Sequence, residues 1–242
     1  MQAVQVKNLT FTYPNGKTVL QNISFCVSVG EVFVIAGLSG SGKTTLCRLL
    51  CGIIPHAIKG KISGEISLLG LNPVEAGLPK TSLKAGLVFQ DADSQIICTT
   101  IQDELAFGLE NLCFSPPDIQ RRVEELLKEF GLSEMSGVNP ALLSGGQKKL
   151  LTIAAVLAPA PPLLILDEPL SGLDAPGRAL ARAAIEEQRR QGRTVIMVEH
   201  DLKLVTFADT WLLLNSGAVA ACGAPAHIME QKKLLKELRL LP

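Results

Sequence analysis

The stretch Glu31–Cys51, EVFVIAGLSGSGKTTLCRLLC, decides the fold. Val32 to Ala36 is a short apolar run that stops at Gly37, the pattern of a buried strand running into a glycine-rich turn. From Gly37 to Thr45 the chain fits G-x-x-x-x-G-K-[ST], with Gly37, Gly42, Lys43 and Thr44 at the fixed positions. Glycines let a backbone curl until successive N–H groups face inward, and such a concavity holds phosphate oxygens. Ser39, Gly40, Ser41 and Thr45 complete the cradle. The segment from Lys43 to Cys51 reads as a helix that turns its positive end to the same oxygens. Lys43 then supplies a point charge to the β- and γ-phosphates, and the Thr44 hydroxyl a ligand for Mg²⁺. A merely flexible glycine loop would need neither the strand before it nor the helix after it.

Working outward, LLILDEP at Leu163–Pro169 is a second buried strand, closed by two carboxylates. Beside a phosphate cradle these have distinct work. Asp167 is placed to bind Mg²⁺ through water, and Glu168 to act as general base on an attacking water. Ile23, Phe25, Val27 and Val29 alternate with polar neighbours, a half-buried strand, and Val4, Val6 and Leu9 alternate in part. Ile101, Leu105, Leu109 and Leu112 recur at helical spacing. A second helix starts near Ser115-Pro116, carries Ile119, Val123, Leu126, Leu127 and Phe130 on one face, and stops at Gly131. A helix over Ala175–Gln191 and a strand over Thr194–Val198 follow. These patterns predict an α/β core interrupted by a helical insertion at roughly residues 91–160.

Composition narrows the function. The chain has 242 residues, 47% hydrophobic and 19% charged, which excludes a disordered chain. Lys+Arg and Asp+Glu both number 23 and aromatics are 4%, so nucleic acid is not an expected partner. The longest uncharged stretch, Leu150–Leu166, contains Pro159, Pro161 and Pro162. A spanning helix needs roughly 20 apolar residues, so no direct membrane insertion is expected. The opening MQAVQVKNLTFTYPNG lacks a basic start and apolar run, so no export leader is expected. Cys26, Cys47, Cys51, Cys98, Cys113 and Cys222 form no C-x-x-C pair, which suits a reducing compartment.

LSGGQ, Leu143–Gln147, adds a family likeness. With it the chain resembles the ATPase subunits of ABC transporters, whose signature this is. The other motifs fall in family order: Gln90 in LVFQD as the Q-loop glutamine, Asp174 in SGLD as the D-loop aspartate, His200 in VEHD as the switch histidine. Tyr13, the only tyrosine, stands where the family stacks an aromatic on adenine. Taken singly, Gln90 reads as any polar strand end, His200 as an ordinary histidine and Tyr13 as a packed turn residue. Order and spacing carry all three.

The resemblance implies an α/β fold. A P-loop NTPase core, with a RecA-like parallel sheet and an antiparallel β subdomain, would carry a helical ABC subdomain. Residues 1–242 would be a single ABC ATPase domain, with 1–90 and 161–242 the nucleotide-binding core and 91–160 the helical signature subdomain. ATP and Mg²⁺ would be the cofactors, with Thr44, Gln90 and Asp167 about the metal and Glu168, His200, Gln90 and Lys43 at the chemistry. The family's sites form between two ATPase subunits, which implies that Ser144, Gly145, Gly146 and Gln147 of one copy complete the pocket of the other.

GLVFQDADSQIICTTIQDELAFGLEN, Gly86–Asn111, and GIIPHAIKGKISGEI, Gly52–Ile66, also look like the ATPases of energy-coupling-factor importers of vitamins or transition-metal ions. That resemblance implies integral membrane transporter subunits as partners and a peripheral place on the cytoplasmic face of the membrane. No C-terminal regulatory domain is expected, and Pro225–Leu241 reads as a short helix that packs on the core or meets a partner. Two departures stand out: Leu150 replaces the family's usual arginine, and Leu170 the usual small residue after the DEP sequence. A soluble ABC ATPase without a membrane partner, in iron–sulfur assembly or nucleic-acid maintenance, is the rival reading, and an ATP-binding scaffold that does not hydrolyse is a third.

Overall fold

A computed structural model describes residues 1–240. Three strands, β1 (Gln2–Thr12), β2 (Thr18–Ser28) and, after β3 (Val32–Ala36), α1 (Lys43–Leu50) and α2 (Ile53–His56), β4 (Lys61–Leu68), form an antiparallel sheet in the order β2-β1-β4. The short helices α3 (Pro73–Ala76) and α4 (Leu78–Ser82) lead to β5 (Ala85–Val88). Helices α5 (Ile101–Asn111), α6 (Pro116–Glu129) and α7 (Gly145–Leu157) come before β6 (Leu163–Asp167). The chain then runs through α8 (Ala175–Arg190), β7 (Thr194–Glu199), β8 (Thr210–Asn215), β9 (Ala218–Gly223), α9 (Pro225–Glu230) and α10 (Lys232–Glu237). The second sheet has the order β5-β6-β7-β3-β8-β9, parallel throughout except for β9. The expected α/β fold, with a parallel sheet beside a separate antiparallel one, is therefore what forms.

The uninterrupted apolar runs of β3, β6 and β7 follow from burial on both faces. In β3, Val32, Val34 and Ala36 face a cluster built by α5 to α8, while Phe33 and Ile35 face α1 and the antiparallel sheet. The partial alternation of β1 also has a cause. Its register with β2 shifts between Val6 and Leu9, where Asn8 takes φ 49, so Leu9 returns to the core one residue late.

Local signals set the helix ends. Thr100, Ser115, Ser144 and Asp174 cap α5, α6, α7 and α8 through their side-chain oxygens. Three details depart from the sequence reading. Leu112 is the C-cap of α5 and is 38% exposed, so it lies off the buried face. Asp167 lies inside β6 rather than beyond it. The C-terminal pattern breaks into α9 and α10 at Gln231, and Ile228, Leu235 and Leu238 bury in the chain's own core, while Leu241 lies outside the described residues.

Candidate nucleotide site

The carboxyl ends of β3, β6 and β7 open on one side of the sheet. There a cavity of about 530 Å³ is lined by the Gly37–Thr45 loop apart from Ser41, by Tyr13, Lys17, Val19, Gln90, Glu168 and His200, and by Arg239 and Leu240 from the C-terminal end. The loop's shape depends on its glycines. A Cβ on Gly37 would lie 2.2 Å from the Leu214 carbonyl oxygen, and Gly42 takes φ 106 as the N-cap of α1. No side chain caps α1, so its first-turn N–H groups keep their hydrogen-bonding capacity for a ligand.

Lys43 is 6% exposed, and its Nζ donates to the Gly37 and Leu38 carbonyls at 2.8 and 2.9 Å. Burial pulls its pKa down, and Glu168 and Asp167 oppose that pull. Ser41 Oγ is buried with no partner among the described residues, as is Asp167 Oδ1. Burial pushes the Asp167 carboxyl up, partly offset by the Thr44 hydroxyl beside it. Thr44, Gln90 and Asp167 line an adjoining groove with Arg48 and Asp91. Buried oxygens without partners are costly, and oxygen donors in this set suit a hard divalent cation next to phosphate.

At the far wall, the Glu168 carboxylate accepts from Gln90 Nε2 at 3.0 Å and lies 3.6 Å from His200 Nδ1. Tyr13 does two things at once: it lines the cavity, and it packs edge-on against Phe11 at 4.7 Å with its hydroxyl 3.1 Å from Thr45 Oγ1. Ser144, Gly145, Gly146 and Gln147 stand apart from this cavity. Ser144 and Gln147 form a capping box at the start of α7, each side chain bonding the other's backbone N–H. Asp174 is spent on capping α8, accepting from Gly177 N at 2.8 Å.

Sequence reasoning missed two residues that shape the site. Lys149 Nζ donates to the carbonyls of Glu168 at 2.8 Å and Ser171 at 2.7 Å. Glu199, fully buried, accepts from Leu170 N at 2.9 Å and Ser171 Oγ at 3.2 Å. The only advance signal was position: Lys149 directly precedes the uncharged Leu150–Leu166 stretch, and Glu199 directly follows the strand read over Thr194–Val198.

The ABC transporter family profile matches residues 20–171, more than half the chain. A Methanosarcina mazei protein, provisionally described as an ABC transporter ATP-binding protein, is 39% identical over 240 residues, which is 98% of this chain and 41% of that one. The energy-coupling factor transporter ATP-binding protein EcfA1 of Lacticaseibacillus paracasei is 36% identical over 98% of this chain and 84% of its own. The structure of cbiO1 from Clostridium perfringens, described as part of the ABC transporter complex cbiONQ, superposes with a TM-score of 0.81 at 31% identity, covering 99% and 95% of the two chains. The chain belongs to the ABC transporter ATPase family, whose ATP-binding domain is an ATP hydrolase. It spans about two fifths of the Methanosarcina mazei relative.

Proposed function

We propose that this chain hydrolyses ATP to drive a membrane importer of the energy-coupling-factor type for a vitamin or transition-metal ion, working as one of two facing ATPase subunits. One observation carries the reading: Ser144–Gln147, the signature residues, stand outside the cavity that the Gly37–Thr45 loop lines. A Cβ on Gly145 would meet nothing within 4 Å, and its φ is not left-handed. Nothing among the described residues therefore calls for a glycine there. A nucleotide held by a second copy, or by a paralogue, and needing close approach to the first N–H groups of α7 would call for one.

In the proposed mechanism the cradle and Lys43 hold the phosphates, and Tyr13 stacks on the base. Asp167, Thr44 and the Gln90 carboxamide oxygen would hold Mg²⁺, which when bound neutralises charge on the phosphates. Glu168 accepts a proton from the attacking water as the new P–O bond forms and the bond to the bridging oxygen of ADP breaks. His200 contacts the γ-phosphate, and Asp174 positions the D-loop against the opposite copy. Residues 91–160 act as the signature subdomain on a core made of 1–90 and 161–242.

The place of the membrane partner has support too. Next to Gln90 in sequence, Phe89 lines a groove of about 410 Å³ with Ile53, Leu78, Pro79 and Leu87, and Leu78 and Leu83, near it in the chain, are exposed. No helix among the described residues is long and apolar enough to cross a membrane. We therefore assign the chain to the cytoplasmic face, docked on integral membrane subunits that choose the substrate.

Light scattering tests the facing-subunit arrangement. ATP should convert the Glu168→Gln protein from monomer to dimer, and adding Ser144→Arg should abolish that conversion. Unchanged ATP-dependent dimers in the double variant would reject the arrangement.

A further inference from the structure

We propose that Lys149 is a positioning residue: its ammonium holds the backbone of Glu168 and couples it to the helix that begins at Ser144. The inference rests on the hydrolytic role given to Glu168 above.

Glu168 takes φ 55, a left-handed conformation that carries a cost for any residue with a Cβ. Such a conformation persists only where its surroundings over-determine it. Here both of its peptide groups are held. The Glu168 N–H donates to the Val198 carbonyl at 3.0 Å, and its own carbonyl accepts from Lys149 Nζ at 2.8 Å. The same ammonium takes the Ser171 carbonyl at 2.7 Å. From the other side Glu199 grips the Leu170 N–H and the Ser171 hydroxyl. A cation thus holds the carbonyls of Glu168 and Ser171, and an anion holds the Leu170 N–H and the Ser171 hydroxyl.

This backbone aims the Glu168 side chain. With its carbonyl held, the carboxylate sits between Gln90 Nε2 at 3.0 Å and His200 Nδ1 at 3.6 Å. Releasing the carbonyl removes one of the two bonds that oppose relaxation to an ordinary φ, and that relaxation swings the carboxylate out of line. A misplacement of about 1 Å at a reacting group can cost about a hundredfold in rate.

The link is also directional. Lys149 lies in the second turn of α7, the helix capped by Ser144. Any rotation of α7, as its amino end engages or leaves a nucleotide on the opposite copy, moves the Lys149 ammonium and so the Glu168 backbone of its own chain. Hydrolysis in one pocket then depends on the signature of the same chain being seated in the other. A neutral apolar side chain cannot make this link, whereas an arginine fork can reach both carbonyls.

The test compares Lys149→Met and Lys149→Arg in the full chain. Steady-state kinetics give kcat and KM, and calorimetry gives the Kd for ATP. K149M is expected to lower kcat about tenfold or more with the ATP Kd within about twofold of wild type, and K149R to stay within about threefold in kcat. Two results overturn the proposal: folded K149M turning over within about twofold of wild type, or its Kd rising as steeply as kcat falls. If circular dichroism shows that K149M does not fold, Lys149→Gln, which keeps one donor group, takes its place. It is expected to lose about threefold or more in kcat, and wild-type turnover there overturns the proposal equally. E168Q is measured alongside. Near-normal hydrolysis by E168Q would withdraw the role of Glu168 itself, while an inactive E168Q beside a fast K149M would withdraw only the link.

Discussion

At the residue scale the site sorts into side chains that do chemistry and side chains that aim them. Glu168 belongs to the first group in our reading. Its carboxylate is the oxygen pair that Gln90 and His200 flank, and among the described residues no second carboxylate side chain lines the cavity. Glu168→Gln keeps the shape and the Gln90 contact but cannot take a proton. It should bind ATP with affinity close to wild type and lower kcat at least a hundredfold, about 2.7 kcal/mol of barrier. Single-turnover kinetics with radiolabelled ATP would check this, and a rate within a few-fold of wild type would remove Glu168 from the role. Residues of this first group were legible because the chemistry requires their identity: a cradle needs Gly37 and Lys43, and a base at a strand end needs a carboxylate. Lys149 and Glu199 were not legible. Their partners are the Glu168 and Ser171 carbonyls, the Leu170 N–H and the Ser171 hydroxyl, and only the folded chain brings those groups into reach.

At the scale of elements, β7 and α7 hold the turn after β6 between them, and the charge on β7 has a pH signature. Burial pushes the Glu199 carboxyl above its ordinary value of 4.5, with Glu168 adding to the rise and the Leu170 N–H, the Ser171 hydroxyl and His200 opposing it. Between 4.5 and the higher folded value, the folded chain holds a proton that the unfolded chain has released. Stability therefore falls as pH rises through that window. Glu199→Gln has no such proton to lose, and its carboxamide oxygen can still accept from Leu170 N. Its melting temperature relative to wild type should climb steadily from pH 4.5 upward and level off once wild-type Glu199 is ionised. A difference that stays flat across the series, read by scanning calorimetry, would mean that Glu199 is ionised throughout.

Elements with a strong single period were the ones that could be read in advance. Strands β3, β6 and β7 are apolar on both faces, and α6 carries a continuous stripe to Phe130. Strand β8 went unread although Trp211–Leu214 form a buried apolar run, whereas two other unread strands are poor in such signal. β4 is exposed over much of its first half and β9 along alternate residues, because each is the last strand of its sheet. Leu112 misled because spacing alone cannot tell the last helical turn from its cap.

For the whole molecule, the decisive fact is that the candidate nucleotide cavity is not the property of one sheet. Tyr13, Lys17 and Val19 reach it from the β1–β2 side, while the cradle, Glu168 and His200 come from the parallel sheet. The two sheets are also stitched directly: Gln21 N donates to the Gly217 carbonyl at 2.7 Å, and Gly217 N donates to the Ser41 carbonyl at 3.1 Å. The turn between β8 and β9 thus joins β2 to the cradle. A ligand in the cavity should stabilise both sheets together, since it touches both and they already share this turn. With Mg²⁺ and ATP at about 100 times Kd, linkage gives about 2.7 kcal/mol of added stability. For a chain of this size that is a rise of about 5–10 °C in melting temperature. E168Q is the protein to use, because it should not consume the ligand during the scan. One calorimetric transition should move as a unit, and EDTA should remove much of the shift, because Asp167 Oδ1 then goes back to being a buried oxygen without a partner. Two transitions of which ATP moves only one would mean that the antiparallel sheet contributes no binding energy, and Tyr13 would then be a packed turn residue and nothing more.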